Sequence, residues 1–213
     1  MALLPITLDL TDRLCVVVGA GEVARRKVRD ALAAAARVRV VAPEVDPELD
    51  ALAADGRIEL RRARFAAEHL DGAALVFVAT DDEAVNEAAA YAAKAARVLV
   101  NVADRPVLCD FHVPATVRRG DLLIAVSTSG KSPALAARVR RTLEREFGPE
   151  YERLLRLLGR TRETMARREG LSQKDRQAIY ERILESDVLS LLAQGRDEDA
   201  ERLARLMAEG ELG

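Results

Sequence analysis

The chain has 213 residues, enough for one full hydrophobic core and a smaller appended unit. Its 33 basic and 35 acidic side chains leave a net charge of −2 with the signs interspersed, which excludes a basic nucleic-acid footprint. Aromatic residues make up only 3 % and Trp is absent, so there is no stacking platform for single strands, and no apolar run nears the ~18 residues of a membrane span.

The start, Met1-Ala2-Leu3-Leu4-Pro5, lacks the charged and apolar regions of a secretory leader. The two cysteines, Cys15 and Cys109, are far apart and show no Cys-x-x-Cys spacing. The expectation is a reducing cytoplasm and no structural metal.

In chain order, the first strand is expected at Leu14–Val18, a β-branched run that leads straight into Gly19-Ala20-Gly21-Glu22-Val23-Ala24. This Gly-x-Gly-x-x-Ala turn opens a helix over Glu22–Ala36. Gly19 permits the turn, Gly21 lets backbone approach a phosphate, and Ala24 lets the helix pack on the strand. Unpaired N–H groups and the helix dipole then face negative charge. Further strands are expected at Val38–Val41, Ile58–Arg61, Leu75–Ala79 and Val98–Val102, and helices at Pro47–Ala54, Ala66–Leu70 and Glu83–Ala95. Alternating β and α with near-continuous apolar strands predicts an α/β fold, a Rossmann-type doubly wound parallel sheet.

The pattern then changes. Phe111–Val117 and Leu122–Ser127 flank Arg118-Arg119-Gly120-Asp121 and read as a hairpin. Ser132-Pro133 is a cap followed by a first-turn proline, opening a helix to about Phe147 that Gly148-Pro149 stops. From Glu150 onward the chain reads helical, with breaks at Gly159, Gly170 and Gly195. Three domains are expected: a dinucleotide-binding Rossmann domain over 1–112, a small α+β region over 113–149, and a helical domain over 150–213.

Chemistry concentrates at the strand exits. A typical NAD site has an acidic residue at the second strand tip, about 20 residues past the glycines. Ala42 stands there, and Pro43-Glu44 follows, so Glu44 is either a displaced ribose ligand or simply loop. No Arg stands there to take a 2′-phosphate, which favours NAD over NADP. Thr80 and Asp81 end the fourth strand at a ligand-binding edge. Asp82, and less readily Asp81, also reads as the cap of the following helix.

The fifth strand delivers Asn101, Asp104 and Arg105, then Cys109, Asp110 and His112. Asp104 is the candidate acid/base, placed where partial desolvation favours the proton-holding form. The competing account is an Asp-Arg-Pro turn with a surface ion pair. His112 reads as hydrogen-bonded filler or as a ligand-facing group, and Cys109 with His112 is too thin for a metal site. Ser127-Thr128-Ser129-Gly130-Lys131-Ser132-Pro133 fails the Walker pattern but suits an anion at a helix start. Arg118, Arg119, Lys131, Arg138, Arg140 and Arg141 surround it, which would suit a polycarboxylate. Arg140 and Arg141 also fit i,i+4 pairing on a solvated helix face.

Taken together, these motifs resemble the precorrin-2 dehydrogenase/sirohydrochlorin ferrochelatase family, found as free-standing enzymes and as the N-terminal module of siroheme synthase. Leu4-Pro5, the Gly19–Lys27 segment, Val41–Glu44, Ala79–Asp82, Asn101–Asp104, Cys109–Phe111, Pro114-Ala115, Arg119–Leu122 and Ala125–Ala134 carry the likeness. The helical tail matches in character only.

The resemblance implies NAD as cofactor, with Glu22-Val23 at the phosphate turn and Pro43-Glu44 near the adenosine ribose. It implies that Asp104, in Asn-Val-x-Asp, is essential. It also implies a homodimer made by the hairpin and following helix, with an active site in the cleft between regions. The reaction would be oxidation of precorrin-2 to sirohydrochlorin, with Asp104 as the base and Asn101, Arg105, His112, Arg119 and Lys131 toward the substrate. A second activity, insertion of Fe²⁺, occurs in some relatives, and its metal ligands are not identified here. Thr128 stands where some members carry a phosphorylatable serine. A methyltransferase domain is not expected in 213 residues. A non-catalytic NAD-sensing module is the remote alternative, although such modules lack the Cys-Asp-Phe and Ser-Gly-Lys-Ser-Pro series.

Overall fold

A computed structural model describes residues 3–168 and 170–210. Met1, Ala2, Glu169 and residues 211–213, which the sequence reading places in its first and last domains, lie outside the described residues. The chain divides between Val113 and Pro114 into two compact units.

The first unit is built on five parallel strands: β1 (Leu14–Val18), β2 (Arg37–Val41), β3 (Glu59–Arg61), β4 (Ala73–Val78) and β5 (Leu99–Val102). Their order is β3-β2-β1-β4-β5. All of β1 is buried because helices cover both faces of the sheet. Leu14, Val16 and Val18 face one layer with Ala89, Ala90 and Ala93 of α3 (Glu83–Ala95). Cys15 and Val17 face the other layer with Ala24, Val28 and Ala31 of α1 (Glu22–Ala33) and Leu49 of α2 (Pro47–Ala54). Small alanines on α1 and α3 let the helices sit close to the β-branched strands. Strand order reverses direction between β1 and β4, which opens a crevice at their carboxyl ends.

Helix α1 ends at Ala33, three residues before the expected stop. Ala35 takes φ 55°, the Ala36 N–H reaches back to the Ala31 carbonyl at 3.1 Å, and the Ala35 N–H bonds Leu32 at 3.0 Å. This is a Schellman closure made with alanine, so no glycine announces it. Arg97, at φ 58°, closes α3 in the same way, with the Val98 N–H on the Ala93 carbonyl at 2.9 Å. The expected helix at Ala66–Leu70 is one 3-10 turn over Ala67–Leu70, held by the Ala66 N–H donating to His69 Nδ1 at 3.0 Å.

The second unit opens with the antiparallel hairpin β6 (Ala115–Arg119) and β7 (Leu122–Val126), turning at Gly120. Helices α4 (Pro133–Glu146), α5 (Glu150–Ala166), α6 (Gln173–Glu185), α7 (Val188–Ala193) and α8 (Asp197–Glu209) follow. Ser132 caps α4 by accepting the Leu135 N–H at 3.2 Å. Helix α5 runs through Gly159, contrary to the expected break. Leu154, Leu157, Thr161 and Met165 form one buried stripe at helical spacing, and packing on that stripe outweighs the roughly 1 kcal/mol helix cost of one glycine. Gly170 and Gly195 do sit in interruptions, at φ 83° and 75°. The core joins that stripe to Ile179, Ile183, Val188, Leu192 and the Ala200, Ala204 and Ala208 face of α8. Ile183 is fully buried there. Ile183→Ala should therefore cost about 2–5 kcal/mol in urea unfolding followed by circular dichroism.

Candidate active site

The glycine turn is shaped by three neighbouring strands. The Gly19 N–H bonds the Val41 carbonyl at 2.9 Å, and the Ala79 N–H bonds the Val18 carbonyl at 2.8 Å. Gly19 has φ 111°, and a Cβ there would lie 2.2 Å from the Ala79 carbonyl oxygen. Only glycine meets both conditions. Gly21 is the N-cap of α1 and makes no side-chain cap, while an added Cβ there would meet nothing within 4 Å. The first N–H groups of α1 thus remain open beside the turn.

A cavity of about 660 Å³ starts at this turn and is walled by the exits of β2, β3 and β4. Its size lies within the ~300–1,000 Å³ common for cofactor sites. The close-packed Gly19, the uncapped α1 start and the cavity together fit a dinucleotide. Gly19, Gly21, Pro43, Glu44, Thr80 and Asp81 all line it. Glu22 and Val23 sit in the first turn of α1 but are not in the wall.

Three details of the wall bear on the sequence reading, and the first agrees with it. Asp82 is the cap of α3, its Oδ1 accepting the Ala84 and Val85 N–H groups at 2.9 and 3.2 Å. The Thr80 hydroxyl is held by Asn86 Oδ1 at 2.8 Å, and Asn86 Nδ2 donates to the Thr80 carbonyl at 2.9 Å. Asn86, buried and absent from the sequence candidates, therefore fixes the β4 exit. Arg64, from the loop after β3, lines the cavity alongside Glu44, so the premise that no arginine stands at this end does not hold.

The β5 exit is a different environment. As an edge strand, β5 carries an open row of backbone groups. Asp110 covers part of it: its N–H donates to the Val100 carbonyl at 2.8 Å and its Oδ2 accepts the Val100 N–H at 3.1 Å. Cys109 covers the next pair, its Sγ accepting from the Val102 N–H at 3.2 Å and facing the Val102 carbonyl at 3.3 Å. Asn101 Nδ2 donates to the Phe111 carbonyl at 2.9 Å. Phe111 in turn packs edge-on against Phe77, over whose ring Lys27 Nζ sits at 5.1 Å. Burial holds the Lys27 ammonium below the ordinary lysine range, against the pull of Asp30. Arg105 is bound to Glu83 at 2.8 Å and Glu87 at 2.9 Å, not to Asp104.

Asp104 is left exposed and, among the described residues, makes no hydrogen bond or ion pair. The desolvation expected from its strand-exit position is absent in this unit. Its backbone is left-handed, φ 56°, an uncommon state for a residue other than glycine. His112 is half-buried, likewise without a partner among the described residues. Neither residue lines the 660 Å³ cavity.

In the second unit Arg119 is committed internally. Its Nε and Nη2 donate to the Phe147 and Glu144 carbonyls at 2.8 and 2.9 Å, capping the end of α4. Arg140 pairs with Glu144 one turn along, as the i,i+4 account expects. Lys131 is exposed and unpaired among the described residues. The Thr128 hydroxyl closes its own loop against the Ser132 N–H and carbonyl, at 3.2 and 3.1 Å.

Comparison with known proteins bears on this arrangement. A family described as "Putative NAD(P)-binding" matches residues 6–115, more than half of the chain. It is followed by "Sirohaem biosynthesis protein central" at 119–146 and "Sirohaem synthase dimerisation region" at 150–207. The chain belongs to the precorrin-2 dehydrogenase/siroheme synthase family. It is 43 % identical over 204 residues to siroheme synthase of Methylococcus capsulatus, covering 95 % of this chain and 43 % of that protein. The siroheme synthase of Nitrosospira multiformis is 42 % identical, with 94 % and 43 % covered. The chain thus spans less than half the length of these relatives. A solved structure, "SirC, precorrin-2 dehydrogenase", superposes with a TM-score of 0.78 at 27 % identity, over 98 % of this chain and all of that one.

Within this family the first unit is the NAD-binding Rossmann module, as expected. The dimerisation region matches the helices from Glu150 onward, downstream of the hairpin and helix to which the resemblance assigns dimer formation. Among the described residues no three His, Cys, Asp or Glu side chains converge as metal ligands, and no helix is long and apolar enough to cross a membrane.

Two predictions follow from this geometry. Gly19→Ala should lower the melting temperature, since the left-handed backbone alone costs about 1–2 kcal/mol, and should abolish NAD binding. Gly21→Ala should melt normally yet bind NAD at least roughly tenfold more weakly, because its methyl group occupies the phosphate approach. Calorimetry and thermal melts separate the two.

Burial pushes the Cys15 thiol up to about 12 and also raises Cys109. A raised thiol value means less thiolate near neutrality. In the native protein iodoacetamide at about pH 8 should leave Cys15 untouched, and Cys109 should react more slowly than a free thiol, whose ordinary value is about 8.5. Cys109 labelling should accelerate only above that range, and Cys15 should label after unfolding, both read by peptide mass spectrometry.

Proposed function

We propose that the chain oxidises precorrin-2 to sirohydrochlorin with NAD as the acceptor. The observation that carries this reading is the free carboxylate of Asp104. At an exit where Asn101, Arg105, Cys109 and Asp110 are all engaged by the fold, Asp104 alone is exposed, charged and unclaimed among the described residues. Support comes from the superposition on a precorrin-2 dehydrogenase and from the NAD(P)-binding match.

The oxidation removes two hydrogens from a reduced tetrapyrrole, one as hydride and one as proton. NAD, when bound, supplies the hydride acceptor. This chain's residues do the rest. Gly19, Gly21 and the α1 start would hold the pyrophosphate, and Glu44, lining the same cavity, would accept from the adenosine ribose. Asp104 takes the proton. His112, half-buried and without a partner among the described residues, is available to the substrate at the same strand exit. In the second unit Lys131 is exposed and unpaired among the described residues, and we propose it as one of the cations for substrate carboxylates. Arg119 and Arg105 act indirectly, by closing α4 and by anchoring the Asp104 turn to α3. Asn101 likewise acts through the Phe111 segment it holds. We propose a homodimer as the working form, in line with the dimerisation match.

The test is anaerobic mixing of the protein with precorrin-2 and NAD while NADH absorbance is recorded. The wild type should produce NADH. Asp104→Ala should cut turnover by about 10²–10⁴-fold with NAD affinity unchanged in calorimetry. Full activity in that variant refutes the proton role, and no NADH from the wild type refutes the reaction.

A further inference from the structure

We infer that Arg64 makes this site a dual-cofactor site, accepting a 2′-phosphorylated dinucleotide as well as NAD. The inference deepens the NAD reading given above and rests on it. Three observations carry it. Arg64 belongs to the loop after β3, and β3 pairs with β2, so that loop stands beside the Pro43–Asp46 exit, which the reading above assigns to the adenosine ribose. Its side chain lines the same cavity as Gly19, Gly21 and Glu44. It is exposed and, among the described residues, has no hydrogen bond or ion pair.

The neighbouring charges sharpen the argument. The other nearby guanidinium, Arg25, is spoken for: its Nη1 lies 3.4 Å from Asp46 and 3.3 Å from Glu48. Asp46 is also consumed as the cap of α2, accepting the Glu48 N–H at 2.9 Å. Asp46 and the Nη1 end of Arg25 are thus engaged with each other, although Arg25 Nε has no partner among the described residues. Beside the β2 and β3 exits, among the described residues, Glu44 and Arg64 line the cavity with no hydrogen bond or ion pair, and Asp81 of the β4 exit lines it too. A carboxylate serves an unmodified ribose, accepting from its hydroxyls, while a guanidinium serves a 2′-phosphate by a charge-assisted, forked contact. A site dedicated to NAD carries its acid directly on the second strand tip, where it repels that phosphate. Here Ala42 occupies the tip, and the acid stands two residues further on.

Calorimetry with NAD and NADP on the full chain tests this without any turnover. NADP should bind the wild type within about tenfold of NAD. Arg64→Ala should weaken NADP by roughly tenfold to a hundredfold, the worth of one hydrogen-bonded charge, and leave NAD within about twofold. Adenosine 2′,5′-bisphosphate should show the same loss against an unchanged adenosine 5′-monophosphate. Because Arg64 makes no hydrogen bond or ion pair among the described residues, its variant should melt like the wild type, and Arg64→Lys should recover part of the NADP affinity. An NADP affinity further below NAD in the wild type overturns the inference, as does an equal loss of both dinucleotides in Arg64→Ala. If NAD itself fails to bind the wild type, the cofactor reading falls first and this inference with it.

Discussion

Everything at the cofactor end depends on one close approach, Gly19 against the Ala79 carbonyl. The parallel ladder does not stop where β1 stops. Val18 and Gly19 continue it outward, to Ala79 on one side and Val41 on the other. Because no side chain separates these backbones, the chain leaving β1 turns over the sheet edge immediately. Helix α1 then begins with its N–H groups uncapped and facing the opening between β1 and β4. A side chain at residue 19 would push β4 away and remove both the turn and the cavity wall. The same requirement explains why Asn86 is buried beneath Thr80: the β4 exit must be rigid if the glycine is to rest against it.

The opposite margin of the sheet poses another problem, an edge strand with unpaired backbone. The Cys109-Asp110-Phe111 segment solves it with a carboxylate and a thiol in place of a sixth strand. Asp110 supplies an acceptor where a ladder partner would have, and Cys109 does so more weakly. Such side-chain closure leaves no continuous edge on which another chain could pair. It also explains why so many polar residues cluster after β5: most of them satisfy backbone and one another.

Much of this was legible in the sequence, for definable reasons. The sheet was readable because strands buried on both faces are forced to be continuous runs of Val, Leu and Ile. The phosphate turn was readable because its glycines are demanded by backbone geometry alone. The Asp82 cap was readable because capping is local. The ends of α1 and α3 were not, since alanine and arginine occupy the left-handed positions where glycine usually signals a stop. Gly159 looked like a break because helix propensity is local, whereas the stripe that overrides it is set by α7 and α8. Arg64 was invisible as a site residue because only the pairing of β3 with β2 brings it to a cavity begun at residue 18. Arg105, Arg119 and Asn101 were visible as polar groups, but their partners are carbonyls and acids distant in sequence, so a substrate role could not be separated from a structural one.

The same sorting gives Asp104 its significance. A polar residue in a fold is either used by the fold or free for something else, and satisfied groups are stiff while free ones are available. Arg105 could have neutralised its neighbour, which would have made the pair a surface ion bridge of little consequence. Instead Glu83 and Glu87 draw the guanidinium onto α3, and Asp104 is left without an ion pair among the described residues. The turn costs backbone energy that a glycine would not, and among the described residues Asp104 makes no hydrogen bond or ion pair that offsets it. A fold selected only for stability would place glycine or asparagine there. The left-handed state alone does not mark a reactive group, since Asp12, Ala35, Arg97 and Ser129 share it and at Ala35 and Arg97 it simply closes a helix; the case for Asp104 rests on its place at the β5 exit, where its polar neighbours are engaged by the fold.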